Sequence, residues 1–91
     1  KIPRENLLYH VGRVMMEPGY ETMALPLVDK EKNAYEKYRA LFYLACHYLD
    51  QGKALTATTY FREVTDSHIF SMFEQRLAEE ALKRSTETAN E

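Results

Sequence analysis

Three histidines, a single cysteine and a scatter of carboxylates are the side chains here whose types permit chemistry. Cys46 stands next to His47, and Asp50 follows three residues later, a set that invites a thiolate–imidazole pair or a metal site. Adjacent residues on a helix point about 100° apart, so Cys46 and His47 do not share a face. A metal takes three or four ligands, and one imidazole beside one carboxylate falls short of that. The expectation is an inert, partly buried thiol at Cys46, a turn residue at His68, no metal and no cofactor. The chain also has no glycine-rich phosphate loop and no Ser/His/Asp arrangement.

An Arg-x5-His spacing occurs twice, from Arg4 to His10 in "RENLLYH" and from Arg62 to His68. It resembles the motif of helical HEPN ribonucleases, which implies an Arg and a His meeting near a phosphate. Such a spacing arises easily in a chain with several Arg and His, and neither copy lies in the basic surroundings that an RNA substrate favours. The 12 Lys and Arg against 14 Asp and Glu leave a net charge of −2, interspersed and without a basic stripe. Nucleic acid is therefore not an expected partner, and a ribonuclease stands behind a non-catalytic reading.

The elements that hold these residues read as helices. Ninety-one residues, 45% hydrophobic and 29% charged, suit one globular domain with a modest core. Period-2 alternation is weak, whereas apolar residues recur at helical steps. From Tyr35 to Gln51 they fall at Tyr38, Leu41, Leu44, Ala45, Tyr48 and Leu49, one face of a helix, with Gly52 as a left-handed stop. A helix over Ala54–Thr65 buries Ala57, Tyr60, Phe61 and Val64. One over Ile69–Arg84, capped by Asp66 or Ser67, buries Phe70, Phe73, Leu77, Ala78, Ala81 and Leu82. In the first third, Glu5–Met16 reads as a helix stopped by Pro18-Gly19, and Tyr20–Asp29 as a second one kinked or loosened by Pro26. Residues 85–91, "STETANE", read as a polar mobile tail after a single domain over 1–84. No apolar run approaches the roughly 18–20 residues of a membrane span, so no direct membrane insertion is expected. With one cysteine there is no internal disulfide, and a start at Lys1 rather than Met suggests a processed form or a piece of something longer.

Self-comparison joins the helices into an architecture. Val11-Gly12, Leu44-Ala45 and Leu77-Ala78 lie 33 residues apart, as do Gly19 and Gly52, Ala24 and Ala57, and Val28 and Phe61. Several like-with-like pairs at one offset indicate units that bury their faces against one another. Leu44, Ala45, Tyr48, Gly52, Ala57 and Phe61 have the spacing L-A-x2-Y-x3-G-x4-A-x3-F, and here the sequence resembles the tetratricopeptide repeat family. The resemblance implies an all-α, right-handed stack of antiparallel helix pairs: units over 5–31 and 38–66, then a closing helix over 69–84, about two and a half repeats. Pro26 inside a helix, and "TDSHIF" where the family has a proline between units, depart from its pattern. A narrower resemblance over Phe42–Leu82, to the C-terminal repeats of bacterial NlpI-type lipoproteins, implies a periplasmic, membrane-associated adaptor. Compartment is otherwise open, the cytoplasm included.

By that resemblance the first helix of each pair lines a concave groove for a peptide or helix of a partner protein. The register carries the groove to Asn6, Tyr9, Arg13, Met16 and Glu17, then to Arg39, Phe42, Cys46, Leu49 and Asp50, with Met72, Gln75, Glu79, Leu82 and Lys83 from the closing helix. Exposed Tyr, Phe, Met and Arg supply binding energy at interfaces; Tyr9 and Phe42 read equally well as the edge of a small core. The family's carboxylate clamp for acidic chaperone tails needs a Lys and an Asn where Tyr9, Arg13, Phe42 and Cys46 stand, so that ligand is not expected. A homodimer is the rival, through Ile2, Leu7, Leu8 and Val14 on a first helix with nothing before it to cover them.

Overall fold

The computed structural model describes residues 7–90, and these form five helices with no strand among them: α1 (Leu7–Met16), α2 (Glu21–Lys30), α3 (Ala34–Asp50), α4 (Ala54–Ser67) and α5 (Met72–Ala89). Short connections make neighbouring helices fold back on each other. For α4 and α5 the antiparallel sense is fixed at both ends. Gln75 near the start of α5 donates to the Thr65 carbonyl near the end of α4 at 2.9 Å, and Ser85 near the end of α5 donates to the Ala54 carbonyl at the start of α4 at 3.2 Å.

Local chemistry explains most of the boundaries. The Asn33 side chain accepts from the Glu36 amide at 3.1 Å and starts α3. Ser71 and Glu74 form a reciprocal capping box that starts α5, so the stop-and-start after α4 lies at Ser71 and not at Asp66 or Ser67. Those two residues belong to the last turn of α4, where the Ser67 hydroxyl donates to the Val64 carbonyl at 2.6 Å. His68 follows in the left-handed region at φ 51°, a turn residue as expected. Gly19 and Gly52 both take positive φ, 90° and 80°, at equivalent places between paired helices. Pro26 does not break α2, which runs unbroken through it while burying Ala24 and Val28; the core contacts of those two residues outweigh the one backbone bond the proline cannot make.

The core is one cluster drawn from all five helices. α3 packs mainly on α4, α4 on α5, and α1 on both α2 and α3. Burial follows the 33-residue offset: Ala24 and Ala57 are fully enclosed, as are Val28 and Phe61, and Val11 matches Leu44. The third member of that last series departs from it. Leu77 is 50% exposed and Phe73 72% exposed, because no described helix lies on that face of α5 as α4 lies on Leu44 of α3. Only Ala78 of the expected inward set on α5 is fully buried, with Phe70, Ala81 and Leu82 partly so.

Two further expectations are corrected. The segment from Ser85 is not a mobile tail: α5 continues to Ala89, and Ser85 is completely buried between α5 and α4. Leu7 and Val14, expected as an uncovered face of the first helix, are buried with Val11 in the common core, because α1 lays them on α2 and α3. Ile2 and the side chain of Leu8 lie outside the described residues.

Candidate functional site

The residues that the register brings to one groove separate into three places. Tyr9 and Arg13 on α1, and Glu17 just past its end, join His10 and Tyr20 in a closed set of contacts. The Arg13 guanidinium makes two bonds to the Glu17 carboxylate and lies 4.3 Å from the centre of the Tyr20 ring and 5.8 Å from that of Tyr9. The Tyr20 hydroxyl is 2.8 Å from His10 Nδ1, and the two rings are stacked. The bond to Glu17 raises the Arg13 pKa and lowers that of Glu17, so both stay charged. Arg13 is thus spent on its own neighbours, which leaves it poorly placed as a free anchor for a partner. Sequence spacing alone does not reveal the stack, since Tyr20 reaches back across the α1–α2 turn. Met16 points into solvent beside it, and Asn6 is outside the described residues.

The second place is a hollow of about 500 Å³ lined by Met15, Cys46, His47, Asp50 and Gln51, where α1 and α3 end. Cys46 is exposed, against the partly buried thiol expected, because it stands on the rim of this hollow. Local burial and the Asp50 carboxylate nevertheless raise its pKa, which disfavours the thiolate that a nucleophile or a soft metal site requires. His47 is half-buried with Nε2 unpartnered, and Leu49 packs against the core. No cluster of three metal-ligating side chains occurs among the described residues. A raised thiol pKa shifts alkylation to higher pH. The iodoacetamide rate of Cys46 at pH 8 is expected to fall below that of free cysteine and to gain on it as pH rises; a faster rate at neutral pH would contradict this environment.

The third place is a cleft of about 150 Å³ between α3 and the start of α5, lined by Arg39, Phe42, Tyr43, Phe70, Glu74 and Leu77. Its floor and walls are fixed from below. Phe42 sets its ring edge-on to the buried Phe61, 5.6 Å between centroids, so it both packs on the core and lines the cleft. Tyr35 packs edge-on to Phe70 at 5.6 Å and donates its hydroxyl to Glu74 at 3.1 Å, tying the starts of α3 and α5 together. That bond to a carboxylate raises the Tyr35 pKa and keeps its hydroxyl a donor. On the rim, the Arg39 guanidinium lies 5.9 Å from the Tyr43 ring centre, and the neighbouring Tyr43 side chain raises its pKa. The repeat register names Arg39 and Phe42 among these residues and does not reach Tyr43, Phe70, Glu74 or Leu77. The turn that opens on Phe70 could have pointed to them.

Elsewhere, Gln75 and Glu79 bond to each other at 3.3 Å beside the α4–α5 turn, so they serve the helix pair first. Met72 and Lys83 are exposed, and Leu82 packs on the core. Of the Arg-x5-His pairs, Arg62 is exposed on α4 and His68 faces Gln75 with Nδ1 at 3.5 Å; Arg4 is outside the described residues. No helix among the described residues is long and apolar enough to cross a membrane. Comparison with protein-family models, with curated proteins and with solved structures finds no match.

Proposed function

We propose that this chain is a non-catalytic interaction module, a tetratricopeptide-like stack of helix pairs that holds a peptide or helix of a partner protein along α3 and α5. The observation that carries the reading is the α3–α5 cleft. An aromatic floor, a basic residue and an acidic residue stand around a volume suited to one inserted side chain, on rigid helices. Rigidity matters because the receiving surface then loses little entropy on binding, and the partner's ordering is the main cost. The 33-residue correspondence in buried positions and in the two glycine turns supports the repeat architecture.

The site reading is narrower than the register suggested. Arg39, Phe42 and Tyr43 form it with the start of α5, whereas Tyr9, Arg13 and Glu17 form a separate self-contained cluster. The test is capture of partner proteins from the native organism's extract on immobilised chain, wild type beside Arg39→Ala/Tyr43→Ala. Both positions lie outside the buried core, so helicity should be unchanged. Loss of more than about 1 kcal/mol of affinity for a captured protein is the expected result. Equal capture by both chains would remove the cleft as the site.

A further inference from the structure

Tyr35 does not line the α3–α5 cleft, yet the two residues it meets across the gap both do. Its ring stands edge-on to Phe70, 5.6 Å between centroids, and its hydroxyl donates to Glu74 Oε2 at 3.1 Å. α3 and α5 run parallel, since each folds back on α4 through a short connection, and both pack chiefly on α4. α4 therefore sets the spacing of the cleft walls from behind. In front, the Tyr35–Glu74 bond is the one side-chain hydrogen bond that crosses from α3 to α5 among the described residues.

Glu74 also serves its own helix. Its Oε1 accepts from the Ser71 amide at 3.4 Å and the Ser71 hydroxyl at 3.2 Å, and its amide donates to Ser71 Oγ at 3.3 Å, the capping box that starts α5. One carboxylate thus joins the first turn of α5 to the first turn of α3.

We propose that Tyr35 is the positioning residue of the cleft, a latch that holds Phe70, Glu74 and the first turn of α5 where they can receive a partner's side chain. This role rests on the reading of the cleft as the partner site. Tyr35 and Glu74 lie at the starts of two parallel helices, so their contact closes one end of the cleft and leaves the stretch from Arg39 to Tyr43 open. A phenol donating to a carboxylate makes a directional, charge-assisted bond. Tyr35 is 37% exposed and outside the common core, so its hydroxyl bears on the first turn of α5 and not on the packing of the whole domain. Without the latch, a partner has to order that turn as it binds, at a cost in affinity.

Tyr35→Phe tests this, because it keeps the ring on Phe70 and removes the hydroxyl alone. Amide hydrogen exchange should quicken by about threefold or more at Gln75, whose amide donates to the Ser71 carbonyl at 2.8 Å, and at Leu77. The amides of Phe61 and Val64 in α4 should change by less than about twofold; a merely structural role would move both sets together. The Tyr35 phenol, whose bond to Glu74 raises its pKa, should return toward the ordinary range in Glu74→Gln, read by carbon-13 NMR of the ring. For a protein captured by wild type and lost by Arg39→Ala/Tyr43→Ala, Tyr35→Phe should weaken binding by about threefold or more. Unchanged exchange at Gln75 and Leu77, a Tyr35 titration indifferent to Glu74→Gln, or undiminished binding of that protein each overturns the latch and leaves the cleft reading intact. Capture that Arg39→Ala/Tyr43→Ala does not alter overturns the cleft reading itself, and with it the positioning role, whatever the exchange rates show.

Discussion

Phe61→Ala is expected to lower the thermal midpoint by about 15–30 °C while leaving whatever native state remains all-helical. Phe61 has no exposed surface and sits where α3, α4 and the base of the cleft meet, with Phe42 edge-on at 5.6 Å. Removing a buried phenyl ring loses its transfer free energy and leaves a cavity, together about 3–5 kcal/mol. A domain of this length has roughly 5–14 kcal/mol in all, and each kcal/mol moves the midpoint by about 4–8 °C. The loss falls on the cleft as well, because Phe42 would lose the ring that orients it. Thermal unfolding followed by circular dichroism checks the first effect. A midpoint within about 5 °C of wild type would mean that Phe61 is not the centre of the packing.

The same residue shows why the helices and their inward faces could be read from the sequence. Phe61, Ala57, Ala45 and Leu44 are each fully buried, and each was assigned inward from helical spacing and a 33-residue echo. Helix pairs joined by short turns leave few ways to hide such faces, so periodicity alone nearly determines which side turns in. Spacing failed where a neighbour was required. Phe73 and Leu77 have the pattern of an inward face, but inward is defined only by an adjacent helix, and none of the described helices covers them. The groove suffered for a related reason. A register names the residues on one side of each helix, and it cannot foresee that Arg13 finds Glu17 and Tyr20 closer than any partner. Nor could it place Glu74, whose position depends on the Ser71 capping box and on the Tyr35 hydroxyl from a helix 39 residues away in sequence.

Ending the chain at Arg84 is expected to cost about 2–3 kcal/mol, a fall of some 10–20 °C in the thermal midpoint. A composition of Ser, Thr, Glu and Asn suggests that these last residues contribute nothing, yet the structure puts them to use. Ser85 is fully buried, donates to the Ala54 carbonyl at 3.2 Å and lies 2.7 Å from the Thr58 hydroxyl. Those contacts hold the end of α5 against the start of α4, at the opposite end of the pair from the Gln75–Thr65 bond. A small hydroxyl suits this spot because two helices approach closely there, and the hydroxyl supplies hydrogen bonds that an apolar side chain would leave unmade. Ser85→Ala separates the two contributions. It keeps the helix and the close approach but removes the hydroxyl, so it should cost only about 1–2 kcal/mol. A truncated chain as stable as the full one would return the segment to the status of a tail. A Ser85→Ala chain as unstable as the truncated one would instead place nearly all of the effect in the hydroxyl and little in the last turns of α5.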